Sequence, residues 1–228
     1  MFFDPLFLFF MIPGLVLSLW ASFRTKRAFK KYGKVRARMT GAQAARRMLD
    51  QAGLYNVTVG RASGFLSDHY NPATRSLALS PDVHDRASIA AVGVACHEAG
   101  HAIQHANTYA FLQLRSALVP TASIGSNFGY LAIMMGIFLS VSGLVYVGIL
   151  LFSATVLFQL VTLPVEFDAS NRAKELVVNY GIVGPYEREG MDKVLNAAAW
   201  TYVAAAVSSV LTLVYFLLRS GLLGGSDD

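Results

Sequence analysis

Two histidines four residues apart, with a glutamate beside the first, are the residues of this chain best suited to chemistry: His97-Glu98-Ala99-Gly100-His101. On a helix, residues i and i+4 share a face, so both imidazoles can turn toward one metal ion. Glu98 leaves the helix where it can reach water held at that ion. Two nitrogen ligands, an open coordination position and a general base make up a zinc-peptidase arrangement. The plain alternative is a helix with two incidental histidines. The surroundings favour the metal, because the motif lies in an apolar run from Ile89 to Ala106 that reads as a helix starting near Ser88.

A peptidase zinc needs a third protein ligand. His105 shares the face of His97 and His101 but lies about 12 Å further along the axis than His97. A supporting or packing role suits it better than ligation. His69 and His84 qualify on chemistry alone. Glu166 is better placed, directly after Leu163-Pro164-Val165, and it opens a helical pattern with Asp168 two residues on. The other reading of Glu166 is a carboxylate favoured by the dipole at a helix N-terminus. Cys96 points about 100° around the helix from His97 and reads as a small buried packing residue. As the sole cysteine it excludes an internal disulfide.

The elements that must position these groups belong to a mainly α-helical, polytopic membrane protein. Of the 228 residues, 54% are hydrophobic and 14% charged, against about 25% charged in soluble domains, and the mean hydropathy is +0.47. Pro5–Phe23, Leu118–Val141, Leu144–Leu163 and Ala197–Leu218 are uncharged and long enough to cross a bilayer. The first reads as an uncleaved span, since no basic stretch precedes it. Eight basic residues and no acid follow in 24–38. They read as a positive-inside loop that attracts anionic lipid rather than nucleic acid. By parity, 24–115 and 165–196 then lie on the cytoplasmic side, with both termini outside. The division expected is 1–23 first span, 24–115 basic segment and catalytic region, 116–164 hairpin of spans, 165–196 helical region, 197–220 fourth span and 221–228 tail.

Within the catalytic region, Thr40-Gly-Ala-Gln43 is a capping box opening a helix that Gly53 closes. Val57–Val59, Gly64–Leu66 and Ser76–Leu79 read as short strands around an Asn71-Pro72 turn. Ser80-Pro81 reads as an N-cap with proline at the first helical position. Gly129, Gly136 and Gly143 recur every seven residues and mark close helix packing, within the chain or between chains.

Three stretches carry a resemblance: Ser88 to His105, Leu66-Ser-Asp-His-Tyr-Asn-Pro72, and Leu163-Pro-Val-Glu-Phe-Asp-Ala-Ser-Asn-Arg172. They closely resemble the YugP-like family of membrane zinc metallopeptidases, similar in plan to the HtpX-like and CAAX-prenyl membrane peptidases. The resemblance implies a small α+β, zincin-like cytoplasmic domain, one zinc ion, protein or peptide substrates, and Glu166 as third ligand. In those relatives an aspartate follows that glutamate by four residues. Here the position is Ser170, so its supporting role falls to Asp168 or Asn171. Glu98 is then the catalytic base in a bacterial-type plasma membrane. Tyr70, His69 and Tyr180 are candidate donors to the oxyanion, and Gly64–Tyr70 offers a strand edge to an extended peptide. A zinc-binding scaffold without activity is the competing class. Transport is disfavoured, since none of the four uncharged stretches carries a Lys, Arg, Asp, Glu or His.

Overall fold

The computed structural model describes residues 4–64 and 67–223. The chain forms two compact units. The first comprises 1–20, 113–163 and 202–228, and the second 21–112 and 164–201.

Helix α1 (Pro5–Tyr32) is capped by Asp4, whose Oδ1 accepts from the Leu6 amide at 3.0 Å. It does not stop at Phe23 but carries the basic residues 24–31 on its last turns. Nothing in Arg24–Tyr32 breaks a helix, and Lys, Arg and Ala favour one. The expected loop begins only at Gly33.

In the second unit, α2 (Gly41–Gln51) has its capping box complete in both directions between Thr40 and Gln43, and Gly53 ends it at φ +74°. Three strands follow: β1 (Thr58–Arg61), β2 (His69–Asn71) and β3 (Ser76–Leu79). β3 is central, parallel to β1 and antiparallel to β2. Its alternation buries Leu77 and Leu79, as period-2 patterning requires. The strand expected at Gly64–Leu66 is not there at Gly64, which holds φ +104°. Phe65 and Leu66 lie outside the described residues. The edge strand is instead His69–Asn71. Asn71 turns the chain back by accepting the Ala73 amide at 2.9 Å.

Pro81 opens the one-turn α3 (Pro81–His84), but Ser80 does not cap it with its side chain. The Ser80 hydroxyl and amide go to Asp68, at 3.0 and 2.8 Å. Helix α4 (Ile89–Ala106) is capped by Ser88 and buried along nearly its whole length. It packs against α2 and the sheet around Met48, Leu49, Leu77 and Leu79.

The first unit is built from long apolar helices. α5 (Ala110–Ile124) runs through a π-helical turn at Gly125–Gly129 into α6 (Tyr130–Phe138). α7 (Ser142–Asn179) and α8 (Pro185–Arg219) follow. A Cβ on Gly129 would come within 2.8 Å of the Phe152 amide nitrogen, and one on Gly148 within 2.6 Å of Ile133. Small residues thus let these backbones approach. Gly136 is crowded in the same way, whereas Gly143 faces open space and has no part in the packing. Among the described residues four helical stretches are long and apolar enough to cross a membrane: Pro5–Tyr32, Ala110–Phe138, Ser142–Asn179 and Pro185–Arg219.

Two of these differ from the expected segmentation. Helix α7 continues without interruption through Pro164, so the second arm of the hairpin and the segment bearing Glu166 are one helix. Glu166 therefore sits in mid-helix, which removes the reading of it as a helix N-terminal carboxylate. The expected break does occur at Gly181 (φ +61°), before Pro185 opens α8.

Candidate metal centre

Every residue of the centre belongs to the second unit. The 3.6-residue period of α4 stacks His97 over His101, with ring centroids 4.8 Å apart and planes at 80°. The last third of α7 faces them. A Cβ on Gly100 would come within 2.7 Å of the Ala169 carbonyl oxygen, so only glycine permits so close a crossing of α4 and α7. That approach brings Glu166, 2% exposed, to the two histidines. Its Oε2 lies 3.2 Å from His97 Nε2 and 3.5 Å from His101 Nε2.

Both imidazoles are tied at their other nitrogen. His97 Nδ1 meets the Ser170 hydroxyl at 3.1 Å. His101 Nδ1 meets Gln104 Oε1 at 2.9 Å. The Gln104 amide nitrogen donates to the Val165 carbonyl at 2.8 Å and to Asp168 Oδ2 at 2.7 Å. Arg172 closes the chain by donating to the same Asp168 oxygen at 2.5 Å and sits over the Tyr109 ring.

Burial works against charging His101, but a hydrogen bond and the negative charge of Glu166 outweigh it, with Glu98 adding to them. His101 therefore titrates above its ordinary value. Ligand atoms of His97, His101 and Glu166 all lie within 4.8 Å of one another. Two imidazole nitrogens and one carboxylate oxygen, with the imidazoles oriented from behind, fit a zinc site of the catalytic type.

The other candidates fall elsewhere. Glu98 is buried beside His97 on α4. His105 joins Tyr70 through a 2.8 Å hydrogen bond between its Nδ1 and the phenol, and neither belongs to the ligand cluster. His69 is exposed and bonds its own loop at the Ser67 carbonyl. His84 pairs with Asp85. Tyr180 packs on the hydrophobic core. Ser170 itself supports His97, Asp168 acts on His101 through Gln104, and Asn171 is exposed.

Gln104 was the residue missed from sequence. The signal was there: a polar side chain one turn after the candidate ligand His101, in the otherwise apolar Ala102-Ile103 stretch, is placed to accept that histidine's second N–H.

The family profile described as "Putative neutral zinc metallopeptidase" matches residues 7–221. The chain is 47% identical over 225 residues to "Putative membrane protease YugP" of Bacillus subtilis (strain 168), covering 98% of this chain and 99% of that protein. No solved structure shows a significant match.

Proposed function

The chain belongs to the neutral zinc metallopeptidase family, and from that premise we propose that it is an integral-membrane endopeptidase whose single zinc is held by His97, His101 and Glu166, with Glu98 as general base. One observation carries the proposal. Both histidine Nε2 atoms and the Glu166 carboxylate converge on one point, while both Nδ1 atoms are tied back by Ser170 and Gln104.

Zinc bound there supplies a Lewis acid that activates water and polarises a peptide carbonyl. The chain's own residues do the rest. Glu98 takes the proton from the attacking water and delivers it to the leaving amine. Ser170 and Gln104 hold the imidazoles in their donating orientation. The β2 edge (His69–Asn71), unpaired on its outer side within the sheet, suits an extended peptide adding as a further strand. The basic last turns of α1 favour a cytoplasmic address for the site, which suits membrane-proximal substrates.

The test uses purified full-length protein in detergent with a casein-type substrate. Expected are near-stoichiometric zinc, cleavage abolished by chelation and restored by zinc, and a roughly 10²–10⁴-fold loss in Glu98→Gln with zinc retained. Zinc uptake without chelator-sensitive cleavage would instead mark a non-catalytic scaffold.

A further inference from the structure

Gln104 is completely buried, one turn beyond His101, and both ends of its amide are taken up by protein partners. Its amide has two distinguishable ends, and its surroundings decide which way it faces. One end meets the Val165 carbonyl and Asp168 Oδ2, both acceptors. Only the NH₂ group can serve two acceptors, so the nitrogen must lie there. The amide oxygen is then left facing His101 Nδ1 at 2.9 Å. An oxygen only accepts, so Nδ1 must carry the ring's proton. In the neutral ring, the form that can ligate a metal, His101 Nε2, the atom aimed at Glu166, then keeps its lone pair.

The same amide has a second consequence. Val165 directly precedes Glu166, so the Gln104–Val165 bond ties the helix carrying the histidines to the backbone carrying the third donor. Arg172, bonded to Asp168, holds the far end of the chain in place.

We infer that Gln104 is a positioning residue: it sets the tautomer of His101 and locks α4 to α7 at the height of Glu166, so that metal affinity depends on a side chain that never touches the metal. This rests on the reading of His97, His101 and Glu166 as zinc ligands. His97 is supported differently. The Ser170 hydroxyl can donate or accept and so imposes no tautomer. Gln104 is the stricter of the two supports.

The experiment measures zinc affinity of metal-stripped, full-length protein in detergent by competition with a chromophoric chelator. The visible absorption of the cobalt-substituted protein serves as a geometric signature. Gln104→Leu is expected to weaken zinc about 10–100-fold, the range for partners that orient a ligand, and to shift the cobalt bands. Gln104→Glu keeps an acceptor for His101 but sets it against the Val165 carbonyl and Asp168, so it should lose affinity too. The double variant Gln104→Glu/Asp168→Asn restores a donor to position 168 and should recover most of the loss. A packing role alone predicts no such rescue. Glu175→Ala, exposed on α7, serves as control and should match wild type. Unchanged zinc affinity and cobalt spectrum in folded Gln104→Leu would overturn the inference, as would failure of the double variant to improve on Gln104→Glu. Collapse of the metal-free fold in all three Gln104 variants would assign it a structural role and overturn it too. If wild-type protein takes up no zinc, the metallopeptidase reading itself fails, which is a distinct result.

Discussion

The two units of the chain bury polar side chains in different ways. In the unit of long apolar helices the buried Tyr215 hydroxyl reaches Asp4, whereas, among the described residues, the buried hydroxyls of Thr162 and Ser209 each bond a carbonyl of their own helix, Phe158 and Ala206. Such bonds satisfy the hydroxyl locally and recruit no other element. Among the described residues the second unit buries Ser80 and Ser88, which bond close by in the chain or at their own helix, but also Glu98, His101, Gln104, Glu166 and Ser170, and bonds from His97 and Gln104 on α4 cross to Ser170, Glu166, Val165 and Asp168 on α7. Burying an ionisable group is costly unless it is paired or binds a metal. A protein of this composition could have filled the space with Ala and Val, as it does elsewhere on α4. Concentrating acids, imidazoles and an amide between two helices is the mark of a site, not of a core.

The largest expected effect comes from removing Glu166. Glu166→Ala leaves His97 and His101 without their common partner. Zinc affinity should fall by more than the roughly 10–100-fold that a supporting partner is worth, and cleavage should vanish. Metal analysis after gel filtration checks this, and full zinc in the folded variant would break the contrast between the units.

Next is Gly100→Ala, which drives a methyl into the Ala169 carbonyl. Overpacking of this kind costs about 1–3 kcal/mol and here also spreads the ligand-bearing helices. A lower melting point together with weaker zinc binding is expected. A lower melting point with unchanged zinc would show that the helix spacing does not govern the site.

A matched pair then sharpens the comparison. Ser170→Ala removes a bond that crosses helices and should weaken zinc about 10-fold. Ser209→Ala removes one that stays within a helix and should leave zinc untouched, with stability changed by about 1 kcal/mol or less. Equal effects on zinc would erase the distinction. The smallest effect concerns Cys96, whose thiol burial pushes up to about 12. Alkylation of native protein at neutral pH should be negligible and become complete on denaturation, as mass spectrometry can show.

Much of this was legible in the residues. The capping box at Thr40, the strand at Ser76–Leu79, the motif helix and the turn at Gly181 all rest on local chemistry and stand as read. What was not legible is where helices continue past the membrane-like stretch. Hydropathy detects where lipid-compatible sequence stops, whereas a helix ends where caps and glycine end it. α1 therefore runs on to Tyr32, and α7 runs through Pro164. A proline freeing one backbone bond is tolerated in a long spanning helix, where ending the helix would free many more. In the site, the motif and Glu166 were visible, but the support was not. Whether Ser170, Asp168 or Asn171 faces His97 depends on a helix crossing that Gly100 sets, and no spacing rule contains that distance.

X-ray absorption at the zinc edge of the purified protein tests the central claim most directly. Zinc held by two imidazole nitrogens and oxygen ligands, with one imidazole contribution lost in His101→Ala and an oxygen contribution lost in Glu166→Gln, is the predicted result. Stoichiometric zinc whose spectrum shows no imidazole ligand, or is unchanged in both variants, would contradict it.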